Sequence, residues 1–345
     1  MKKIRVAING FGRIGRAFFK LAFERPEIEI VAVNDLGDLD NLAYLLKYDT
    51  VYRTSNLKVS TSVSPEPAFI VDGNKVLYLS QKDPAQLPWK DLAIDVVVES
   101  SGFFASYTGS EAHIQAGAKK VVITAPTKDE PTEAIAGATI LLGVNEEKFK
   151  GSIITSNASC TTNAASPVIA ILHESIGIEK AILNTVHGYT ATQALVDSPA
   201  GKKGYREGRA AAENIIPSST GAAIAVTKAF PALTGLFDGV SIRVPVPAGS
   251  IADITFIAKR PTTKEEVNEL LKQASMDPRW KNIFTVTEDQ IVSSDILGSQ
   301  YASIADLEMT RVVGGTLVKV LAWYDNEMGY TRTLVDHVVK AGEMI

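Results

Sequence analysis

The amino-acid sequence predicts an α/β protein in two parts: an N-terminal doubly wound parallel sheet over about the first 155 residues, then an α+β part with a mostly antiparallel sheet. Three observations carry that prediction. A chain of 345 residues exceeds what one ordinary hydrophobic core organises. Its first part alternates short apolar runs with amphipathic helical stretches, the grammar of parallel βαβ units. Beyond Cys160 the alternation ends, and strand-like runs follow one another without regular crossover helices.

The first apolar run, residues 4–8, ends in Asn9 and Gly10. A helical pattern follows over residues 13–24, with Ile14, Ala17, Phe18 and Leu21 on one face, and Pro26 stops it. Residues 28–33 form a second run rich in Ile and Val, so the chain opens with a βαβ unit. Runs at 96–99 and 121–123 flank a helix at 110–116 and continue the pattern. In the second part, residues 182–186, 240–246, 251–258 and 317–323 read as strands. The stretch 198–209 carries Pro199, Gly201, Gly204 and Gly208 among Lys and Arg, and reads as a long irregular loop of the kind that is functional or disordered.

Composition narrows the class of function. With 46% hydrophobic and 21% charged residues the chain has the make-up of a globular protein able to bury a sizeable core. A formal net charge of −4 gives no long-range pull toward phosphate backbones or anionic lipid, so neither nucleic acid nor a membrane is an expected partner. The single cysteine, Cys160, rules out an intramolecular disulfide and a Cys-rich metal site, and favours a reducing, cytoplasmic compartment. Met1, Lys2 and Lys3 resemble the start of a secretion signal, but Arg5 and Asn9 interrupt the apolar stretch it needs. The longest uncharged run, residues 151–172, has spanning length yet carries Ser152, Thr155, Asn157 and Asn163, which hydrocarbon rejects.

Gly10-Phe11-Gly12-Arg13-Ile14-Gly15 matches G-x-G-x-x-G between an expected strand and an expected helix. Glycines there permit a tight turn and close backbone approach, while the helix N-terminus offers unpaired N–H groups to a pyrophosphate. The second strand ends at Asn34-Asp35, and Asp35 stands 20 residues beyond Gly15, the spacing of an acid on an adenosine ribose. A carboxylate there repels a 2′-phosphate, so the expected cofactor is NAD rather than NADP. Taken alone, the glycines could simply make a turn; strand, helix and acid together favour a Rossmann-type dinucleotide site.

Cys160 lies in Ser156-Asn157-Ala158-Ser159-Cys160-Thr161-Thr162-Asn163, at or just before a helix start. A lone cysteine is ordinarily a small buried hydrophobe. These hydroxyl and amide neighbours suit an anion or substrate site instead, and a helix N-terminus with an imidazole nearby is expected to lower the thiol pKa. His113 and His173 fall on predicted helices and His337 on the terminal one, where surface or packing roles suffice. His187 ends the run 182–186 and opens a polar turn, a setting that exposes catalytic side chains.

Along nearly its whole length the sequence resembles the phosphorylating glyceraldehyde-3-phosphate dehydrogenases. The resemblance rests on residues 9–15 (NGFGRIG), 34–36 (NDL), 45–50 (LLKYDT), 156–163 (SNASCTTN), 219–222 (STGA), 243–247 (RVPVP), 291–295 (IVSSD) and 323–327 (WYDNE), in that order. It implies that Cys160 attacks an aldehyde while His187 takes a proton, that hydride passes to the nicotinamide of NAD, and that inorganic phosphate releases the resulting thioester as an acyl phosphate. Ser159, Thr161, Thr220 and Gly221 would hold the attacking phosphate, and Thr190 and Arg243 the phosphate of glyceraldehyde 3-phosphate. Thr220 and Gly221 also read as an ordinary helix cap. Arg243, inside an apolar strand, calls for an anion. Ser101, Thr124, Asn326 and Tyr330 would join the cofactor site, with the last helix folding back on the first domain. The implied domains are residues 1–159 with 325–345, and residues 160–324; the implied assembly is a homotetramer.

Three positions depart from the family's usual pattern. Thr192 stands where an Asp is common, Glu207 where an Arg is common, and Ala164 replaces a second cysteine. The first two lie near the implied anion sites and leave another phosphorylated aldehyde, such as erythrose 4-phosphate, as a rival substrate. A non-catalytic nucleotide-binding module and a cysteine hydrolase are the rivals from other classes.

Overall fold

A computed structural model describes residues 3–200 and 204–345; Gly201 of the expected loop and the opening Met1 and Lys2 lie outside the described residues. The chain divides into two compact units. One comprises the chain up to Ile140 with Asn145–Ala158 and Thr331–Ile345; the other comprises Leu141–Val144 and Ser159–Tyr330. No helix among the described residues is long and apolar enough to cross a membrane.

In the first unit the chain runs β1 (Ile4–Asn9), α1 (Arg13–Phe23), β2 (Ile28–Asn34), α2 (Leu39–Lys47), then a short ribbon of β3 (Tyr48–Asp49) and β4 (Arg53–Thr54). There follow β5 (Val59–Ser62), β6 (Ala68–Val71), β7 (Asn74–Leu79), β8 (Val96–Glu99), α3 (Tyr107–Gln115), β9 (Lys120–Ile123), β10 (Gly137–Thr139) and β11 (Ile154–Ser156). The main sheet has the order β10-β11-β9-β8-β1-β2-β7-β6-β5, parallel from β10 to β7 and antiparallel beyond. Its central strands are apolar on both faces: all four residues of β8 and of β9 are buried. That explains why they read as continuous runs rather than alternating ones. Strand order reverses at β1, with β2 on one side and β8 on the other, and a ligand crevice opens at such a switch point beyond the strand ends. Asn9 and Glu99 pair across it, so the residues that follow, Gly10 and Ser100-Ser101, form its lip.

The second unit starts with α4 (Cys160–Ser175) and β12 (Ile178–Gly188), continues through β13 (Ile216–Ser219), α5 (Ala222–Ala229), β14 (Phe237–Val244), β15 (Ser250–Ala258), α6 (Lys264–Met276), β16 (Phe284–Thr287), β17 (Ser303–Val313) and β18 (Leu317–Tyr324), and enters α7 (Met328–Glu343). Its sheet has the order β13-β14-β12-β15-β18-β17-β16. Four pairings are antiparallel, but β12–β14 and β16–β17 are parallel. The sequence reading left out the crossover behind the first of these: α5, between β13 and β14, returns the chain so that β14 runs alongside β12. Pro245 ends β14 two residues earlier than expected, since proline cannot extend the ladder. Burial alternates strictly along β15, and Leu183, Thr185 and His187 of β12 share the buried face with Val320, Ala322 and Tyr324 of β18. Helix α4 is buried at every residue from Thr161 to Leu172, its polar first turn included. Two-residue periodicity and a buried helix thus bring His187 and Tyr324 to the face that α4 covers.

Candidate active site

The nucleophile sits where local backbone chemistry starts a helix. Ser159 is the N-cap of α4, its hydroxyl accepting from the Thr162 N–H at 3.1 Å and meeting the Thr162 hydroxyl at 2.7 Å. Just before it, Ala158 adopts φ +54°, a left-handed conformation that costs a non-glycine residue about 1–2 kcal/mol. The tight turn from β11 therefore places Cys160 at the first helical position, at the end of α4 whose first N–H groups have no carbonyl partner within the helix.

Cys160 Sγ lies 3.4 Å from His187 Nε2. The other ring nitrogen, Nδ1, is 2.7 Å from the Gly188 carbonyl, which can only accept. The proton is therefore on Nδ1, and the bare Nε2 faces the sulfur as an acceptor. Arg243 pairs with His187 across β12 and β14, and its Nη1 reaches the same Gly188 carbonyl at 3.5 Å. The Arg243 Nε is buried without a hydrogen-bond partner among the described residues.

Burial pushes the Cys160 thiol above its ordinary value, against the pull of the Arg243 charge, the Thr161 hydroxyl and the N–H groups of Thr161 and Cys160. The expected lowering by the helix start is thus outweighed by desolvation. Burial first, then the Arg243 charge, push His187 down to about 3. Both shifts disfavour charge on either group alone. Charge separation within the pair is a different matter, because thiolate and imidazolium so close together stabilise each other in a low-dielectric setting.

Tyr324 is the support that sequence reasoning missed. Its buried hydroxyl bridges Thr161 Oγ1 at 2.8 Å and Thr185 Oγ1 at 2.7 Å, and its ring meets that of His187 edge-on at 5.9 Å. Burial raises its pKa and keeps the phenol neutral. The signal was present: Tyr324 shares the two-residue period of the buried face of β18.

Structure fixes other expected site residues more locally. The Thr190 hydroxyl meets that of Thr192 at 3.0 Å. Thr220 Oγ1 accepts from the Ala222 N–H at 3.2 Å, and Gly221 is the N-cap of α5, so this pair does cap a helix. Glu207 accepts from the Ser218 hydroxyl at 2.5 Å, while Arg209 is held by Asp197 at 2.8 Å. Asn326 Oδ1 accepts from Gly249 N–H and Ser250 Oγ, each at 3.0 Å, and the Ser250 hydroxyl accepts from Gly188 N–H at 3.2 Å. This chain of bonds fixes which way the Asn326 amide is turned and steadies the strand end next to His187. Tyr330 is buried near the start of α7.

Within the first unit, Gly10, Gly12, Asn34, Asp35, Ser101 and Phe103 help to line a cavity of about 580 Å³ at the switch point. Gly10 has φ +94°, and a Cβ there would stand 2.4 Å from Ser101 N; one on Gly15 would stand 2.2 Å from Gly10 O. Gly12 faces open space. Asp35 accepts from Phe11 N–H at 2.6 Å and Gly37 N–H at 2.8 Å, so the acid anchors the glycine turn from below. Phe11 contributes its backbone only, since its ring is fully buried; Arg13 is paired with Asp49 at 2.9 Å. Ile14 is partly buried on the first turn of α1, which carries no acidic side chain. Thr124 is tied to the Glu99 carbonyl through both N–H and hydroxyl. The cradle, an acid-free helix start and an acid beside it fit a dinucleotide.

Beneath the cradle lies a network that the sequence reading did not foresee. Glu99 is buried and accepts from Asn9 Nδ2 at 2.6 Å, Ser101 N–H at 2.9 Å, the Ser101 hydroxyl and His113 Nε2 at 3.0 Å. Trp89 Nε1 donates to His113 Nδ1 at 3.0 Å, which fixes the proton on Nε2. His113 is thus no surface residue: it is fully buried and positions the carboxylate that holds Ser101. A Glu closing an otherwise apolar strand was the available clue.

Residues 4–107 match the family model described as glyceraldehyde 3-phosphate dehydrogenase, NAD binding domain, and residues 159–326 match glyceraldehyde 3-phosphate dehydrogenase, C-terminal domain. The chain is 47% identical over 345 residues to the glyceraldehyde-3-phosphate dehydrogenase of Streptomyces coelicolor, covering 99% of each chain. The chain belongs to the glyceraldehyde-3-phosphate dehydrogenase family. It is also 48% identical over 340 residues to the enzyme of that name from Borreliella burgdorferi, covering 96% of this chain and 98% of the relative. With the Thermotoga maritima enzyme it shares 48% over 335 residues, 96% of this chain and 97% of the relative. Membership bears out the sequence reading of family, of a Rossmann-type NAD domain and of a mostly antiparallel second part.

Proposed function

We propose that this protein oxidises D-glyceraldehyde 3-phosphate with NAD and inorganic phosphate to 1,3-bisphosphoglycerate, through a thioester on Cys160. The observation that carries the role of these residues is the bare Nε2 of His187 at 3.4 Å from the sulfur, with its other nitrogen committed to Gly188. His187 takes the Sγ proton, the thiolate adds to the aldehyde carbon, and the proton passes to the oxygen to give a hemithioacetal. His187 then accepts the hydroxyl proton as the carbon gives up hydride and the carbonyl re-forms as a thioester. NAD, when bound, supplies the hydride acceptor. A phosphate oxygen attacks the thioester carbon, the carbon–sulfur bond breaks, and the thiolate leaves as the acyl phosphate is released.

Gly10, Phe11, Gly12, Arg13, Ile14, Gly15, Asn34, Asp35, Ser101 and Thr124 make the cofactor site, and Asn326 and Tyr330 attend the carboxamide. Thr190 and Arg243 take the substrate phosphate, supported by the Arg243 Nε, which has no partner among the described residues. Ser159, Thr161, Thr220 and Gly221 take the attacking phosphate. In the second unit Ile182, Val240 and Leu317 are exposed on the sheet, which supports burial against further copies in a homotetramer. We place the protein in the cytoplasm, where a lone thiol stays reduced.

Absorbance of NADH with glyceraldehyde 3-phosphate tests the reaction. Steady turnover with phosphate and a single stoichiometric burst without it are expected; turnover equal in both, or none in either, would reject it. Erythrose 4-phosphate run in parallel sets the substrate preference.

A further inference from the structure

We infer that Gln193 is a further binding residue for the phosphoryl group of the aldehyde substrate, acting through its side-chain Nε2 donors. The inference rests on the reading of Cys160 and His187 given above, and deepens it by assigning the group that selects a phosphorylated aldehyde.

Gln193 closes the turn that follows His187. Its backbone N–H donates to the Thr190 carbonyl at 3.0 Å, and its side-chain Oε1 accepts from the Thr190 N–H at 3.1 Å. A backbone N–H can only donate, so the atom it meets is the amide oxygen, and the amide orientation is fixed. Nε2 is thereby aimed away from Thr190 N, and it is buried with no hydrogen-bond partner among the described residues. Leaving such a donor unpaired costs about 1–3 kcal/mol. The cost is met once an acceptor occupies the space it faces.

A second orphaned donor reaches the same turn from β14. Arg243 Nη1 reaches the Gly188 carbonyl at 3.5 Å, while its Nε has no partner among the described residues. Gly188 and Thr190 are two residues apart, at most about 7 Å between Cα atoms, so both unpartnered donors bracket one turn. The His187 imidazole at the head of that turn is uncharged at neutral pH. Arg243 therefore supplies the positive charge, and the Gln193 amide and Thr190 hydroxyl supply neutral donors. One guanidinium with N–H and O–H donors at the same turn is the donor set for a phosphoryl dianion. A hydrocarbon or unsubstituted aldehyde tail would leave Gln193 Nε2 and Arg243 Nε unpaired.

Glu and Leu replacements separate binding from scaffolding. Gln193→Glu keeps a carboxylate oxygen for the Thr190 N–H but exchanges the donors for a negative charge; Gln193→Leu removes both. The selectivity ratio, kcat/KM for glyceraldehyde 3-phosphate over kcat/KM for unphosphorylated glyceraldehyde, is expected to fall about 10-fold or more in each, as loss of a hydrogen bond to a charged group implies, and furthest in Gln193→Glu. Dissociation constants for glycerol 3-phosphate, an unreactive probe measured by calorimetry, should rise by a similar factor. A ratio and a probe affinity matching wild type in Gln193→Glu would overturn the assignment, as would a rise confined to KM for inorganic phosphate. Calorimetry reads the subsite whether or not wild type turns over, so failure of the reaction and failure of the subsite are told apart.

Discussion

Acid should destabilise this fold through one buried histidine, and replacing it should remove a definable part of that loss. His337 on α7 is fully buried, with Nδ1 at 3.2 Å from Asn157 Oδ1, Nε2 at 2.8 Å from the Thr155 hydroxyl, and the Phe149 ring edge-on at 4.7 Å. Burial first, then the charges of Lys340 and Lys120, push its pKa from 6.5 down to about 3. Below the unfolded value the unfolded chain binds a proton that the folded chain refuses. The stability held by neutral His337 is therefore full above about pH 6.5 and is lost as pH falls toward 3. At pH 5 the gap is one and a half units, about 2 kcal/mol. His337→Leu abolishes this titration, though it removes one partner each from the Thr155 hydroxyl and Asn157 Oδ1 and costs about 1–3 kcal/mol at neutral pH. Urea unfolding at pH 7.5 and pH 5 measures both proteins. Wild type should lose about 2 kcal/mol more than the variant between the two values; His187, shifted the same way, is common to both and cancels. Equal losses would show that His337 is not held neutral by burial.

Three further outcomes follow from the geometry. Gly10→Ala puts a Cβ 2.4 Å from Ser101 N at φ +94°, so calorimetry should find NAD affinity reduced at least 100-fold; near-native affinity would mean the turn is not the cradle. Asp35→Asn removes the charge that repels a 2′-phosphate, and the kcat/KM ratio of NAD to NADP should fall about 10-fold or more, while a constant ratio would assign the preference elsewhere. Tyr324→Phe strands the buried hydroxyls of Thr161 and Thr185 and should lower stability by about 2 kcal/mol, read from the urea midpoint; no shift would mean those hydroxyls find other partners.

Much of this was legible in the residues because the elements that position the site obey local rules. Runs apolar on both faces marked the parallel strands β1, β2, β8 and β9, and glycines between strand and helix marked the cradle. Cys160 could be placed at or just before a helix start because the apolar stretch 167–172 that follows it reads as a helix. What escaped was long-range. His113 and His337 look unremarkable by spacing, yet both are fully buried, one beneath the cofactor cradle and the other on the terminal helix. Tyr324 is 139 residues from Thr185 and 163 from Thr161, and only the register of β15 between β12 and β18 brings them together. The thiol pKa was misjudged for a similar reason: the sequence shows the helix start and not the desolvation that opposes it.

Intact-mass spectrometry of protein mixed with glyceraldehyde 3-phosphate and NAD, quenched in acid without phosphate, reaches the covalent step itself. A phosphoglyceryl adduct on the peptide containing Cys160, lost on adding phosphate before the quench and absent in Cys160→Ser, is the predicted result. NADH production with no adduct on that sulfur would contradict a thioester mechanism.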